Sequence, residues 1–220
     1  MFGKTLKVAA AVAVAAGALA GCGGDPWKVG AAAIVGDDRI TVSALDSAVR
    51  DWQKEFKADP VANNLRSNPN LNPRLQLVLE KLAENPRRQA LDMMVRIRIG
   101  DRMAERSGLN VTEGGVDRYI AENGGQRTQE VTALVYGLPK SRHRDMARFS
   151  VTLATAAQKF GANGTPQGEQ AAGEQIKALY GQTIDGLKIK VNPRFGSFDK
   201  SQESLGPITY KLSARESGVR

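Results

Sequence analysis

The apolar run from Ala31 to Val35 places the strongest constraint on how this chain can fold. It is followed by Gly36 and by Asp37-Asp38, which we expect to form a tight turn. Beyond Thr41, apolar residues recur at spacings of four, three and four, which places them on one face of a helix. These residues are Leu45, Val49, Trp52 and Phe56. The region therefore predicts a buried strand, a turn and an amphipathic helix.

The start of this helix has two candidate caps. The Thr41 hydroxyl can accept a hydrogen bond from the first turn, with Ile40 and Leu45 placed as a hydrophobic staple. Ser43 and Asp46 form a competing capping box two residues further along. Either cap supports a helix that begins directly after the turn.

Residues 1–21 have the layout of an export signal. Lys4 and Lys7 precede the apolar segment Val8–Ala18, which is too short to span a bilayer that needs about 20 helical residues. The segment ends in Leu19-Ala20-Gly21-Cys22, which resembles the lipobox of bacterial lipoproteins. The resemblance implies that Cys22 is acylated and becomes the first residue of the mature chain. A secretory signal cleaved elsewhere is the alternative.

Lipidation of Cys22 would fix both the location and the redox chemistry of the protein. Each buried methylene contributes about 0.8 kcal/mol, so several acyl chains anchor a protein stably to the outer face of a membrane. Cys22 is the only cysteine, and its acylation leaves no thiol or disulfide. Residues 22–30 would then be a short tether.

The charge balance is basic. The formal net charge is +8, and loss of Lys4 and Lys7 with the signal leaves +6. Export makes nucleic acid the wrong partner, whereas anionic lipid head groups or acidic envelope polymers would suit such a surface. A solvated basic surface is the simpler interpretation.

The middle of the chain reads as a series of helices. Residues 58–72 are polar and predict a loop, and Asn72-Pro73 and Asn85-Pro86 each predict a helix start. The helix that follows Asn85 has apolar residues all around its axis, so we expect it to be the central and most buried one. These residues are Leu91, Met94, Val95, Ile97, Ile99 and Met103.

Further signals continue this pattern towards the carboxyl end. Thr112 caps one helix, a second ends near Gly137, and Pro139 begins a third. Residues 161–168 have the composition of a linker before a last helix, and the alternation in Leu187–Val191 predicts a half-buried strand.

Three segments carry a family resemblance. The sequence AAIVGDDRITVSALDSAV, residues 32–49, resembles the opening of SurA-type periplasmic chaperones and PrsA-type foldases, and Asn192-Pro193-Arg194-Phe195-Gly196 resembles their closing segment. Leu109–Thr112 is similar to a segment that joins two helices in that family. Ala44 and Gly114-Gly115 depart from the pattern, because the family has an acidic residue and helix formers there.

The resemblance implies a mainly α fold of SurA N-terminal-domain type. The last helix and strand would return to the first unit, so that 187–191 pair with 31–35 in a small sheet joining the two ends. On this interpretation residues 31–199 form the helical domain and 200–220 a flexible tail.

No enzymatic chemistry is expected. Related chaperones carry parvulin prolyl-isomerase domains, whose site resembles two histidines with a Cys or Asp between them, whereas this chain has one histidine, His143. A Ser/His/Asp triad would have to use His143 among basic neighbours that oppose its protonation. The sequence shows no metal-ligand spacing and no Gly-rich phosphate loop after a strand, so we expect no cofactor or metal.

The resemblance implies an ATP-independent chaperone that binds unfolded exported proteins. A groove between helices would hold apolar client segments, although core packing is the simpler role for the same side chains. The alternatives are an envelope assembly lipoprotein with one dedicated partner and a degenerate isomerase. The candidate groove residues are Trp52, Phe56, Met93, Met94, Met103 and Phe149.

Overall fold

A computed structural model describes residues 30–68 and 85–208 of the chain. This part is mainly helical, with a small antiparallel sheet, as predicted. The strands are β1 (Ala31–Val35), β2 (Asp38–Thr41), β3 (Ile189–Val191), β4 (Phe198–Asp199) and β5 (Ser204–Leu205). The helices are α1 (Val42–Lys57), α2 (Pro60–Ser67), α3 (Pro86–Arg106), α4 (Glu113–Glu122), α5 (Gly125–Val135), α6 (His143–Lys159) and α7 (Pro166–Asp185). Short 3-10 turns lie at Lys140–Arg142 and Pro193–Phe195.

The sheet joins the two ends of the described chain. Its order is β2-β1-β3, with both pairs antiparallel, and Ala33 lies opposite Val191. The predicted pairing of the first and last strands is therefore confirmed. Gly36 and Asp37 form the turn between β1 and β2, whereas Asp38 is already the first residue of β2.

The segment after β3 is fastened to β1 by Asn192. Its backbone N–H donates to the Ala32 carbonyl over 2.8 Å, and its side-chain amide donates to the Ala31 carbonyl over 3.2 Å. Gly196 follows at φ 110°, and a Cβ there would lie 2.5 Å from the Gly206 carbonyl oxygen. A side chain is thus excluded twice at Gly196, by backbone conformation and by the close approach of the chain.

Helix α3 is the centre of the molecule, as predicted. Asn85 caps its start by accepting hydrogen bonds from the N–H groups of Arg87 and Arg88. Four apolar residues of α3, spaced four apart along the helix, are completely buried. The helix contacts α1, α6, α7 and β1. The four buried residues are Leu91, Val95, Ile99 and Met103.

The helix caps follow local sequence rules. Thr41 accepts from Ala44 N–H at the start of α1, so the first of the two candidate caps is the one formed. Thr112 accepts from Gly115 N–H, and α4 extends over ten residues despite its two glycines. The linker ends at Thr165, which caps α7 at Gly168 N–H.

Two sequence predictions are wrong in their boundaries. Residues 58–72 were expected to be a loop, but Pro60–Ser67 is helix α2, with Asp59 as its N-cap. The flexible tail was expected to begin at residue 200, but β5 lies within it, and Leu205 is only 3% exposed. Residues 209–220 of that tail, the helix start at Asn72-Pro73 and residues 1–29 lie outside the described residues.

A glycine pair tests the close packing of α3 against α6. A methyl group at Gly100 would lie 2.5 Å from a ring carbon of Phe149, whereas one at Gly173 of α7 would meet no heavy atom within 4 Å. We expect Gly100→Ala to lower the free energy of unfolding by about 1–3 kcal/mol through overpacking. Gly173→Ala should raise it by up to about 1 kcal/mol through helix propensity. Urea denaturation of both variants measures their free energies of unfolding. Equal changes in the two variants would contradict the close packing of α3 against α6 at Gly100.

Candidate functional site

The three predicted groove methionines lie in the core. Met93, Met94 and Met103 are 6%, 8% and 0% exposed, and Phe149 covers Gly100 on the neighbouring helix. These side chains pack α3 against its neighbours and present almost no surface to a client. The core-packing role is the one seen for the methionines.

Trp52 and Phe56 lie in a separate cluster between α1, α2 and α5. Their rings stack with centroids 5.5 Å apart, and the Trp52 indole N–H donates to the Leu134 carbonyl over 2.8 Å. The Arg66 guanidinium lies 5.1 Å from the Trp52 ring and 5.4 Å from the Phe56 ring, where burial lowers its pKa. The six predicted groove residues therefore divide between two packed clusters and do not line one groove.

The described surface is polar. Among residues 30–68 and 85–208, Val61 is the one large hydrophobic side chain that is exposed, at 52%. A depression beside α3 and α6 is lined by charged groups, and Arg102 there pairs with Asp38 over 3.1 Å and with Glu105 over 2.9 Å. A second, much smaller depression has the apolar side chains of Ile40, Met94, Ile97 and Leu138 in its lining, beside three charged ones.

Asp59 is a buried carboxylate that ties three elements together. Besides capping α2, it accepts a 2.7 Å hydrogen bond from Arg127 of α5 and pairs over 3.4 Å with Lys140, in the 3-10 turn before α6. The bond from Arg127 is the main reason that the pKa of Asp59 is lowered to about 2. Sequence reasoning missed this residue, although Asp59-Pro60 is itself a helix-start signal.

A second buried carboxylate, Asp92, lies on α3. One of its oxygens accepts from Arg96 Nε and the other from the backbone N–H of Leu205, each over 2.7 Å. One turn before it, Arg88 Nη2 donates to the carbonyls of Leu205 and Gly206 over 3.0 and 2.7 Å. We call Arg88, Asp92 and Arg96 the α3 clamp.

The α3 clamp has unpaired polar atoms beside it. Arg88 Nε and the Tyr180 hydroxyl are both buried without a hydrogen-bond partner in the described part of the chain. Burial raises the pKa of Tyr180 above its ordinary value, and Asp92 adds to this effect. The clamp is therefore a desolvated polar site that holds main-chain atoms of another segment.

The remaining candidate chemistry is sparse. His143 Nδ1 lies 2.9 Å from the Lys140 carbonyl oxygen at the start of α6, a local contact within one turn. The described residues contain no group of three His, Cys, Asp or Glu side chains placed for a metal. None of the helices described is both long and apolar enough to cross a bilayer. Cys22 lies outside the described residues.

Neither a family model, nor a curated protein, nor a solved structure matches this chain. The likeness to SurA- and PrsA-type proteins therefore rests on the three quoted sequence segments and remains a prediction.

Replacement of Asp59 tests the buried ion pairs. We expect Asp59→Asn to lower the free energy of unfolding by about 1–2 kcal/mol at pH 7. This is the low end of the range for a charge-assisted hydrogen bond, because the Arg127 side chain is 54% exposed. The folded-state pKa of about 2 lies below the ordinary 3.8. The stabilisation is thus fully present above pH 3.8 and is lost as the pH falls through about 2.

Denaturant unfolding of the unaltered chain and of Asp59→Asn between pH 7 and pH 2 measures how much stability the Asp59 carboxylate contributes at each pH. Asp117→Asn is the matched control, because Asp117 pairs with Arg144 at the surface, and it should change stability by less than about 1 kcal/mol. An Asp59→Asn deficit that is the same at pH 7 and pH 2 would contradict the assignment.

Proposed function

We propose that this chain is an exported lipoprotein that acts by binding another polypeptide, without catalysis. In this proposal Cys22 is acylated and holds the helical domain at the extracytoplasmic face of a bacterial membrane. The domain is related to SurA- and PrsA-type chaperones but has no prolyl-isomerase insert.

The single observation that carries the proposal is the way the chain closes. β1 pairs with β3, and Asn192 of the Asn-Pro-Arg-Phe-Gly segment bonds to the carbonyls of Ala31 and Ala32. This is the arrangement that the resemblance implied for the first and last of the quoted segments. The linker before α7, where the family inserts isomerase domains, is only a few residues long.

The described surface favours a dedicated partner over a wide range of unfolded clients. A general holdase needs an adaptable apolar surface, for which exposed methionines are well suited. Here the α3 methionines are buried, and Val61 is the one large apolar side chain exposed in the described ranges. Of the two binding functions, the envelope assembly protein with one partner therefore fits the geometry better.

Anchoring is tested by Cys22→Ser. We expect the variant to lose incorporation of labelled palmitate and to move from the membrane fraction to the soluble exported fraction, since no other cysteine can be acylated. Gly23→Ala, one residue further on, should behave as the unmodified protein. Membrane-bound, palmitate-labelled Cys22→Ser would contradict the anchoring proposal.

The binding function is tested with the lipidated chain in detergent. At equimolar amounts we expect no suppression of aggregation of unrelated unfolded proteins and no acceleration of a proline-limited refolding reaction. Cross-linking from exposed sites in cells should yield one exported protein, which then forms a binary complex from purified components.

Each assay separates one alternative. Suppression of aggregation at equimolar amounts would favour the general holdase, and faster refolding would restore the degenerate isomerase. A chain with no holdase activity and no partner that forms a purified complex would contradict both the holdase and the dedicated-partner function.

A further inference from the structure

The α3 clamp holds the segment 204–206 mainly through its backbone. Asp92 accepts the Leu205 N–H, and Arg88 donates to the carbonyls of Leu205 and Gly206. An acceptor and a donor one turn apart on the same helix thus engage both polar groups of one extended residue. Main-chain hydrogen bonds of this kind do not depend on the sequence of the bound segment.

Because the main-chain bonds do not depend on sequence, selectivity for particular residues has to come from the pocket that holds the Leu205 side chain. Leu205 is 3% exposed and belongs to the same hydrophobic core as Leu91 and Val95 of α3. A pocket of this kind accepts an apolar side chain of similar volume, because close-packed interiors reject both larger and much smaller ones. The pocket therefore fits a leucine-sized residue at the centre of an extended segment.

The hairpin that carries Leu205 has little stability of its own. β4 and β5 pair at only two positions, and isolated two-stranded hairpins are marginal in water. Glu203, in the turn between them, has φ 52°, a left-handed conformation that is unfavourable for a residue with a side chain. One further bond, from Gly206 N–H to the Ser197 carbonyl over 2.8 Å, extends the hairpin, and the remaining hold on the segment comes from the contacts with α3.

An empty α3 clamp would be costly. Asp92 and Leu205 N–H are both buried, and release of the segment would leave this carboxylate oxygen without its donor. Arg88 Nε and the Tyr180 hydroxyl already lack partners there, which gives an incoming chain further groups to bind. An extended polypeptide is the kind of molecule that can replace every one of these contacts.

We propose that residues 204–206 occupy, in the resting protein, a binding site for an extended segment of the partner, centred on a leucine-sized apolar residue. The partner segment displaces Leu205 and takes over its bonds to Arg88 and Asp92. This inference rests on the proposed polypeptide-binding function and names the surface that performs it.

A labelled peptide tests the site directly. The probe is fluorescein-SQESLGPI, the sequence of residues 201–208, and its matched control is SQESSGPI. Leu205→Asp in the full mature chain should expel the resident segment, because the pocket cannot hold a charged side chain. We expect this variant to bind the probe at least tenfold tighter than the unaltered chain does, and the control peptide at least tenfold more weakly than the probe.

The second substitution identifies the clamp. Arg88→Ala added to Leu205→Asp should remove probe binding, since the peptide loses the donor to two carbonyls. Equal binding by the unaltered chain and Leu205→Asp, or equal binding of the two peptides, would overturn the proposal. So would dimers, seen by light scattering, in which the segment passes between two copies.

Hydrogen exchange keeps the proposal testable on the unaltered chain. The amides of Leu205 and Gly206 should exchange at least 100-fold faster than those of Val95 and Ile99, because the segment opens without global unfolding. Exchange at the global rate, or an unfolded Leu205→Asp variant, would show that the segment is an inseparable part of the core and would overturn the proposal.

The outcomes are separable from those of the proposed function. A purified partner complex without peptide binding would remove only the α3 site, whereas peptide binding without any partner would remove only the dedicated-partner function.

Discussion

The pairing of β1 with β3 is the constraint on which the rest of the structure depends. Asn192 and Ala31, which are bonded across this junction, lie 161 residues apart, and closing a loop of that length costs about 4–5 kcal/mol of chain entropy. Three paired positions alone do not offset that cost. The burial of Ala32, Ala33, Val35 and Val191 against α3 supplies the remainder, so the sheet and the central helix stabilise each other.

Helix α3 has two different faces because it performs two tasks. Its row of completely buried apolar residues, Leu91 to Met103, forms the core against the other helices. Asp92, next to Leu91 in the sequence, is just as buried but faces the C-terminal hairpin and receives its backbone. A buried carboxylate is unfavourable unless it is fully bonded, so its presence on the central helix indicates a specific task that an apolar residue could not perform.

Most of the elements with local or periodic signals were predicted from the sequence, whereas helix α2 and the hairpin at 198–205 were missed. The strand, turn and helix of 31–57 and the burial of α3 follow from spacing, and the β1–β3 pairing follows from the resemblance of the two end segments. Helix α2 was missed because its polar composition outweighed the Asp59-Pro60 start signal. The hairpin at 198–205 has almost no local signal, because it is held by the burial of Leu205 and by bonds from Leu205 to Arg88 and Asp92 of α3.

The methionines show why a groove cannot be derived from composition. Met93, Met94 and Met103 have the chemistry of an adaptable binding surface, but the same flexibility fills irregular gaps in a core poor in aromatic residues. With those side chains buried, the proposed affinity for another polypeptide would come from exchange of contacts already made within the chain. Such an exchange is selective, because an incoming segment must match both the backbone bonds and the pocket that it takes over. The scarcity of exposed apolar side chains in the described ranges and the proposed polypeptide-binding function are therefore compatible when the bound segment of the resting protein is its own.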